Sequence, residues 1–525
     1  MMPRPDDLSY PLSDLAMPLG VVGAGTMGWG IAQLGCLAGV ETVVHDPIPD
    51  ALERAAERVR AGLEKGAERG RWSAEEARAA GKHLRLADSL DDLAGCELVI
   101  EAAPERVELK RELFEQLSEI CGDRAVLATN TSSILVSSLA STAANPENVV
   151  GMHFFNPPPL MRLLEVIAAE QTSERALDVA RTMGEAMGKA VIVARDGPGF
   201  LVNRCGRPFG AEALRLLQER VATIEQIDRI VRLGGGFRMG PFELMDLVGI
   251  DVGFEVAQSF TLQSFGEPRW KPSMLQAQMV AAGRLGRKTG RGWYSYEDGP
   301  HRPDDPEPRE PEGGEGRVVA IAGSGELAGA LRERARSAGF DVRELGDGEP
   351  WLIVDASVPS PVAGAIAPAG TPLVVACADR SLAARAIPGA CGFHMLPSSG
   401  RLVELTRIAS TSADAAGAAE AFFGALGFER EWVEDAPGLV LGRIACCLVN
   451  EGLFAVGEGV GSADDVDAGT TLGLNHPRGP VTWGRQIGFE HVLATIDGLF
   501  EERHEERYRA APLLRRVVAT GEPVL

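Results

Sequence analysis

The sequence has few cysteines and no long apolar segment. Eight cysteines are scattered over 525 residues without a C-x-x-C pair, which argues against a zinc ribbon and against a disulfide framework. No apolar run approaches the roughly 20 residues that span a bilayer, and the N-terminal segment lacks the apolar core of a signal peptide. We therefore expect a cytoplasmic protein with reduced thiols, no metal and no membrane contact.

Positive charge is also in short supply. The chain has 52 Lys and Arg against 74 Asp and Glu, a formal net charge of −22. So acidic a surface argues against binding to nucleic acid or to an anionic membrane, and an anionic substrate would need a local basic patch. With 45% hydrophobic residues the composition is that of a globular protein, and its length predicts roughly three to five domains.

Strands and helices alternate in the first part of the chain. Residues 19–25 predict a short buried strand that ends in glycines, and a helix at 27–39 follows it. Further strands are predicted at 41–46, 97–102, 125–129 and 149–153. This alternation predicts a parallel sheet with right-handed crossovers. Residues 51–85 predict a helical hairpin, with Ser73 as an N-cap before Glu76.

Changes in this pattern indicate the domain boundaries. We predict an α/β Rossmann domain over 1–197 and an all-α substrate and dimerisation domain over 198–297. Residues 298–316 are rich in Pro, Gly and acidic residues, so we predict a linker that is too polar to pack. The strand and glycine pattern then begins again at 318–325.

A constant offset relates the two halves of the chain. Glu165 and Glu404 are 239 positions apart. The same offset separates Pro198 and Pro437, Glu212 and Glu451, Asp228 and Asp467, Gly240 and Gly479, and Gly249 and Gly488. Such self-similarity indicates an internal duplication. We predict a second Rossmann-like domain over 317–432 and a second helical domain over 433–525.

The two predicted copies are unequal in length. Gly25 and His153 are 128 positions apart, whereas Gly325 and His394 are 69 positions apart, so the second interval is shorter by 59 positions. We therefore predict that the second Rossmann-like unit is shortened and degenerate, without the helical hairpin.

A dinucleotide-binding motif follows the first predicted strand. The motif G-x-G-x-x-G comprises Gly23, Ala24, Gly25, Thr26, Met27 and Gly28. Its glycines permit a tight turn, close approach of the backbone to a pyrophosphate, and packing of the helix on the strand. Asp46 ends the next strand, 21 positions after Gly25. An acid there suits a ribose 2′-hydroxyl and repels a 2′-phosphate, which favours NAD over NADP.

The second copy of this motif has lost the residues that bind a dinucleotide. Ala328 replaces the third glycine, and Glu326 places a negative charge where phosphates would lie. Gly346 stands at the position of Asp46, although Asp347 follows it. We predict a former dinucleotide site that no longer binds.

A histidine and a glutamate are candidates for acid–base chemistry. His153 ends a predicted strand at the edge where α/β sheets bind ligands, and Glu165 follows 12 positions later in a strand-like run. Histidine suits removal of a hydroxyl proton because its pKa lies near neutrality. Sequence spacing alone leaves open a structural histidine and an unrelated acid.

Five further motifs carry a family resemblance over residues 19 to 296. They are TNTSS at 129–133, GMHFFNPP at 151–158, LEV at 164–166, DGPGFLVNR at 196–204 and GPFEL at 240–244, with KTGRGWY closing the region at 288–294. In this order the motifs resemble those of L-3-hydroxyacyl-CoA dehydrogenases. The resemblance implies oxidation of a 3-hydroxyacyl-CoA thioester with NAD.

The resemblance also implies roles for individual residues. His153 is the general base and Glu165 its partner, while Ser132 hydrogen-bonds the substrate oxygen. Asn203 helps to hold the substrate, and Glu101 lies by the cofactor. From the residues alone, Ser132 could equally belong to a turn and Asn203 to a helix start.

An acyl-CoA substrate is anionic, so a basic segment is a candidate for its binding. The stretch from Arg54 to Arg71 contains Lys65, which the resemblance favours as a contact to CoA phosphate. Because acidic residues are interleaved there, a solvated helix face explains the segment equally well. Arg162, near the histidine strand, could meet a substrate carboxylate, meet CoA or be solvated.

The second copy lacks the partners that a working site needs. His394 and Glu404 remain, now 10 positions apart, but Gly442 replaces Asn203 and no TNTSS equivalent is present. Single-copy members of the family pair through their helical domains, so we expect the two helical domains to form an internal pseudo-dimer. A further homo-oligomer remains open.

Three functions are compatible with these observations. The whole arrangement resembles long bacterial members of the family that act on intermediates such as 3-hydroxyadipyl-CoA or 3-hydroxybutyryl-CoA in β-oxidation and phenylacetate catabolism. The alternatives are a dehydrogenase of a free hydroxy or sugar acid on the same scaffold and a non-catalytic scaffold that binds acyl-CoA.

Overall fold

The computed structural model describes residues 17–297, 299–360, 370–397 and 400–524. The N-terminal segment discussed above lies mostly outside these residues. The chain divides into two units, 1–202 and 203–525.

The described part of the first unit is built on an eight-stranded sheet of order β3-β2-β1-β4-β5-β6-β7-β8. All neighbouring strands are parallel except β6 and β7. The strands are β1 (Leu19–Val22), β2 (Thr42–His45), β3 (Leu84–Ala87), β4 (Leu98–Glu101), β5 (Val126–Thr129), β6 (Val149–Phe154), β7 (Leu163–Ala168) and β8 (Ala190–Arg195). The helices are α1 (Thr26–Leu37), α2 (Pro49–Glu68), α3 (Ala74–Gly81), α4 (Val107–Cys121), α5 (Val136–Ala140) and α6 (Glu174–Ala186). The predicted Rossmann-like sheet is confirmed.

The central strands of this sheet are buried along their whole length. Every residue of β1, β4 and β5 is buried, as expected for parallel strands covered by helices on both faces. Two apolar clusters form, and α1 and α6 belong to one while α4 and α5 belong to the other. This leaves the loops at the carboxyl ends of the strands free to carry functional groups.

The predicted helical hairpin consists of α2 and α3. Ser73 caps α3 by accepting a hydrogen bond from the backbone N–H of Glu76, and the Glu76 carboxylate accepts one from the Ser73 N–H. Trp72 packs under Gly66, where a Cβ would come within 1.9 Å of the indole ring. The hairpin therefore has a fixed turn rather than a loose connection.

The second unit begins and ends with helices and has a seven-stranded sheet between them, of order β10-β9-β11-β12-β13-β14-β15 in its described part. The first helical region contains α7 (Val202–Gln218), α8 (Ile224–Gly235), α9 (Pro241–Val248), α10 (Ile250–Gln263) and α11 (Met274–Ala281). The strands are β9 (Val318–Ala322), β10 (Asp341–Arg343), β11 (Leu352–Asp355), β12 (Leu373–Ala376), β13 (Cys391–His394), β14 (Leu402–Thr406) and β15 (Glu429–Trp432), with α12 (Glu326–Ser337), α13 (Leu382–Arg385) and α14 (Ala413–Ala425). The last helices are α15 (Leu441–Gly457), α16 (Ala463–Gly473), α17 (Pro480–Ile487), α18 (Phe489–Arg503) and α19 (Pro512–Thr520).

The second sheet has the strand order of the first except that, among the described residues, no strand corresponds to β3. Its pair β13 and β14 is antiparallel, as are β6 and β7. Strand β10 ends at Arg343 and β11 begins at Leu352, so no helical hairpin stands between them. Helices α15 and α17 have the same bounds as α7 and α9 once the constant offset found in the sequence is added.

The expectation that the segment after residue 298 is too polar to pack is wrong. This segment has no regular secondary structure over residues 299–316, but charged groups attach it to the first helical region. Arg232 makes a two-pronged contact with Asp305 at 3.0 and 3.1 Å, and the His301 ring lies 2.9 Å from a Glu243 oxygen. Polar residues can pack when each finds a partner of opposite charge, and composition does not reveal those partners.

Candidate active site

The glycine motif forms a tight turn that leaves space beside its second glycine. Gly23 has φ +103°, a conformation that side chains rarely adopt. A Cβ at Gly28 would lie 1.7 Å from the Gly23 carbonyl oxygen, whereas a Cβ at Gly25 would meet nothing within 4 Å. Helix α1 begins directly afterwards at Thr26, with Met27 in its first turn. A pyrophosphate fits here because the backbone is open at Gly25 and the helix N-terminus is positive.

Asp46 is fastened to the same turn. One carboxylate oxygen accepts a hydrogen bond from the Ala24 N–H at 2.8 Å, and the other accepts from the Ile48 N–H at 2.9 Å. The acid is therefore held beside the glycine motif, where a ribose hydroxyl would meet it. Together the turn and the acid fit a dinucleotide without a 2′-phosphate.

His153 and Glu165 face each other across the antiparallel pair β6 and β7. The distance from His153 Nδ1 to Glu165 Oε2 is 2.9 Å, and Glu165 is completely buried. The other Glu165 oxygen accepts hydrogen bonds from the N–H groups of Leu201 and Val202 at 2.7 and 3.1 Å. A carboxylate at Glu165 thus accepts a hydrogen bond from Nδ1–H, which leaves the Nε2 lone pair as the basic position.

Glu101 lies at the end of β4 inside a saturated polar cluster. Its carboxylate contacts Lys110 Nζ at 2.7 and 2.8 Å and accepts from the Thr129 hydroxyl at 2.7 Å and the Ala103 N–H at 2.6 Å. Glu101 and Lys110 are buried almost completely. The pair therefore fixes the loop that follows β4, next to the glycine motif.

Glu105 organises the segment that carries Ser132, and the sequence interpretation missed it. One Glu105 oxygen accepts from the Thr131 hydroxyl at 2.5 Å, the Ser132 N–H at 3.2 Å and the Ser133 hydroxyl at 2.9 Å. Burial acts to raise the Glu105 pKa, but Lys110 and these hydroxyls hold it below its ordinary value. Among the described residues the Ser132 hydroxyl itself has no hydrogen bond, so it is available to a substrate.

A buried lysine holds the loop between the His153 and Glu165 strands, and it too was missed. Lys189 Nζ donates to the carbonyl oxygens of Pro158 and Met161 at 2.6 and 2.7 Å. Burial lowers the pKa of Lys189 to about 8. The predicted second copy has Phe428 at this position, at the same constant offset. The replacement of a lysine by a phenylalanine at the constant offset is the sequence signal for this residue.

Two of the sequence-predicted residues have no described hydrogen bond to this cluster. Asn203 is the second residue of α7 and the first of the second unit. Lys65 is exposed on α2, and within the described residues no ion pair restrains it. The roles given to Ser132, Asn203, Glu101 and Lys65 stay predictions.

His394, the position that corresponds to His153 in the predicted second copy, is closely surrounded. The nearest ring nitrogen of His394 lies 3.9 Å from Glu404, and both ring nitrogens are buried without a hydrogen bond among the described residues. Glu404 still accepts from the N–H groups of Val440 and Leu441. A Cβ at Gly442 would lie 2.3 Å from the His394 ring, so a side chain such as asparagine does not fit there.

Ion pairs of two buried arginines join the two helical regions of the second unit. In one set the arginine comes from the first region and the glutamates from the second, and in the other set the reverse holds. The nitrogen–oxygen distances are 2.8 Å for Arg204 with Glu451, 2.7 Å for Arg204 with Glu458, 2.9 Å for Arg443 with Glu212 and 2.8 Å for Arg443 with Glu219. Every residue of one set lies 239 positions from its equivalent in the other.

Two other kinds of site are absent from the part of the chain that the structure describes. No helix there is both long and apolar enough to cross a membrane. The same residues contain no group of three His, Cys, Asp or Glu side chains that could hold a metal ion.

Family models match most of the chain. The model described as the NAD binding domain of 3-hydroxyacyl-CoA dehydrogenase matches residues 18–197. The model described as the C-terminal domain of 3-hydroxyacyl-CoA dehydrogenase matches residues 199–296 and also residues 438–523.

Similar proteins agree with these models, and they cover between half of the chain and nearly all of it. The chain is 35% identical to a 3-hydroxyadipyl-CoA dehydrogenase of Escherichia coli over 94% of this chain and 96% of that protein. It is 39% identical to a probable 3-hydroxybutyryl-CoA dehydrogenase of Deinococcus radiodurans over 53% of this chain and all of that protein. A crystal structure of 3-hydroxybutyryl-CoA dehydrogenase from Escherichia coli matches with a TM-score of 0.82 and 32% identity, covering 96% of this chain and 98% of that one. The chain belongs to the 3-hydroxyacyl-CoA dehydrogenase family, with its NAD-binding domain at residues 18–197.

Proposed function

We propose that the chain interconverts (3S)-3-hydroxyacyl-CoA and 3-oxoacyl-CoA, with His153 as the general base of the oxidation. The observation that carries this proposal is the buried contact of 2.9 Å between His153 and Glu165 at the ligand-binding edge of the sheet. The bound nicotinamide supplies the hydride acceptor. Proton transfer is left to the protein, and a neutral imidazole held in one tautomer suits that task.

Glu165 acts through His153 in this proposal. Because its second oxygen is occupied by two backbone N–H groups, the carboxylate cannot turn away from the ring. A fixed negative charge beside Nδ1 stabilises the imidazolium that forms when Nε2 takes the hydroxyl proton. In the reverse direction the same imidazolium returns the proton to the 3-oxo group.

The remaining site residues hold the reactants. Ser132 offers its hydroxyl to the substrate oxygen, since Glu105 binds only its backbone N–H. Asn203 contacts the substrate from the start of α7, and Lys65 meets a CoA phosphate. Glu101 positions the loop beside the cofactor through Lys110 and the Ala103 N–H.

The second half of the chain serves as an internal partner for the first helical domain. An interface in which residues i and j exchange roles is the mark of a two-fold dimer contact. The pairs of Arg204 and Arg443 have this property across one polypeptide, and helices α15 and α17 keep the constant offset from α7 and α9. We take the second copy as a duplicated, non-catalytic unit. Its histidine packs so closely on Gly442 that no side chain fits between them.

We further propose that the physiological acyl chains include the 3-hydroxyadipyl group. The relative that matches 94% of this chain is a 3-hydroxyadipyl-CoA dehydrogenase, whereas the 3-hydroxybutyryl-CoA relative in Deinococcus radiodurans matches 53%. A role in β-oxidation-type breakdown of aromatic acids such as phenylacetate follows from that substrate.

A substrate panel tests this function directly. We expect NADH oxidation with acetoacetyl-CoA, 3-oxohexanoyl-CoA and 3-oxoadipyl-CoA, and little with NADPH or with a free 3-oxo acid. Turnover of only the free acid would indicate the alternative function, a dehydrogenase of a free hydroxy or sugar acid. If none of the substrates supports NADH oxidation although NADH still binds, the chain would be an acyl-CoA-binding scaffold instead of an enzyme.

Asp46 should govern the choice between NADH and NADPH. We expect Asp46→Asn to raise the KM for NADH about 10-fold, because a charged hydrogen-bond acceptor is lost, and to narrow the preference over NADPH. The measurement is the ratio of kcat/KM for the two nucleotides. Asp347→Asn, next to the equivalent position of the second copy, is the matched control and should leave the ratio unchanged. An unchanged ratio in Asp46→Asn would show that the acid does not meet the ribose.

A further inference from the structure

One arginine on α7 stands apart from its neighbours. Arg204 and Arg215 on this helix each contact a carboxylate, in Glu451 and Glu212 respectively, at 2.8 Å. Arg207 lies between them and is partly buried. Among the described residues it has neither an ion pair nor a side-chain hydrogen bond.

The Arg207 guanidinium is nevertheless held in place. Its central carbon lies 5.0 Å from the ring centroid of Phe260, a buried residue of α10. Burial and the nearby charge of Arg215 lower the pKa of Arg207 to about 10, so the group stays positively charged at neutral pH. A desolvated charge without a counter-ion is costly, and such groups are characteristic of anion-binding sites.

Arg207 lies one helical turn after Asn203. Residues four apart share a face of a helix, with Cβ atoms about 5–6 Å from each other. A short acyl chain bound at Asn203 would therefore bring its far end within reach of Arg207. The closed second copy has Cys446 at the equivalent position, completely buried. The helix therefore folds without a cation at this point.

We propose that Arg207 binds the terminal carboxylate of a dicarboxylic 3-hydroxyacyl thioester. The guanidinium fork matches a carboxylate with two parallel hydrogen bonds, while the Phe260 ring covers one of its faces. This inference rests on the proposed function, since it requires an acyl-CoA bound at Asn203. It makes Arg207 a specificity-determining residue for the acyl group.

Two substrates of equal chain length provide the test. 3-Oxoadipyl-CoA carries the carboxylate, and 3-oxohexanoyl-CoA has a methyl group in its place. We expect Arg207→Met to lower the ratio of kcat/KM for the first over the second about 10- to 100-fold, because a charge-assisted contact is lost only from the dicarboxylic substrate. Arg207→Lys keeps the charge without the fork and should give an intermediate ratio. If Arg207→Met does not fold, the lysine variant decides by the same ratio.

The possible outcomes separate this inference from the function on which it rests. Arg162→Met tests the other arginine for which the sequence left contact with a substrate carboxylate open. Arg162 is exposed on the loop between β6 and β7, and we expect its replacement to leave the ratio unchanged. A shift of the ratio in Arg162→Met, or an equal loss of both substrates in Arg207→Met, would overturn the role of Arg207 alone. If the unmodified chain oxidises NADH with neither thioester, the proposed function itself is contradicted.

Discussion

Replacement of His153 by alanine is expected to lower kcat by at least on the order of 10²-fold while NADH binding is retained. The reason is that His153 is the group whose Nε2 lone pair is free, since Nδ1 is held by Glu165 at 2.9 Å. NADH binds at the glycine motif and Asp46, which the substitution does not touch. Steady-state NADH oxidation with acetoacetyl-CoA gives kcat, and fluorescence titration gives the Kd for NADH.

The chain contains its own control for this experiment. His394 is the equivalent histidine of the second copy, and both of its ring nitrogens are buried without a partner among the described residues. We expect His394→Leu to leave kcat unchanged and to leave the stability unchanged or increased, because an unsatisfied buried polar group is removed. Loss of activity in His394→Leu, or retention of more than about a tenth of kcat in His153→Ala, would contradict the assignment of the single working site to the first copy.

Much of the first unit follows from local sequence signals. The glycine motif, the acid directly after β2 and the cap at Ser73 each depend on residues close in sequence, and each lies where the pattern predicts it. The contact between His153 and Glu165 needed one further step, the pairing of two adjacent strands. Such features are predictable because backbone geometry alone brings their residues together.

The features that were missed depend on partners distant in sequence. Glu105 reaches the Ser132 segment across 27 residues, and Lys189 reaches Pro158 across 31 residues. The charged segment after residue 298 packs because Asp305 finds Arg232, 73 residues away. Residue type and period do not specify such pairings, since a buried charge is tolerated only where the complete fold supplies its counter-charge.

If the chain is duplicated as proposed, its second copy differs from the first at the site residues but keeps the ion pairs of the helical region. In the first copy, position 203 holds asparagine, whereas at position 442 only a glycine fits against the His394 ring. The predicted second copy has phenylalanine at the position of Lys189 and glycine at the position of Asn203, so it lacks these two polar groups. What remains under constraint is the helical half, where buried charges pair across the two copies.

Removal of one of these buried charges should destabilise the chain strongly. Arg443 is completely buried and contacts Glu212 at 2.9 Å and Glu219 at 2.8 Å. Burial acts to raise the pKa of Glu212, but Arg215 and Arg443 hold it below its ordinary value. We expect Arg443→Ala to lower the free energy of unfolding by about 3 kcal/mol, the lower end of the range for a broken buried ion pair. Glu212 and Glu219 each lose one counter-charge and keep only Arg215 and Arg503, respectively. Urea unfolding followed by tryptophan fluorescence measures this change.

The pseudo-symmetry provides a second substitution that should have the same effect. Arg204 is the equivalent of Arg443 in the first copy and contacts Glu451 and Glu458, so Arg204→Ala should cost a similar amount. Arg515→Ala breaks an exposed pair with Asp497 and should change the free energy of unfolding by no more than about 1 kcal/mol. Equal losses at positions 204 and 443, well above that at 515, are what an internal two-fold interface requires. A loss at position 443 no larger than that at 515 would mean that the two helical regions do not depend on each other.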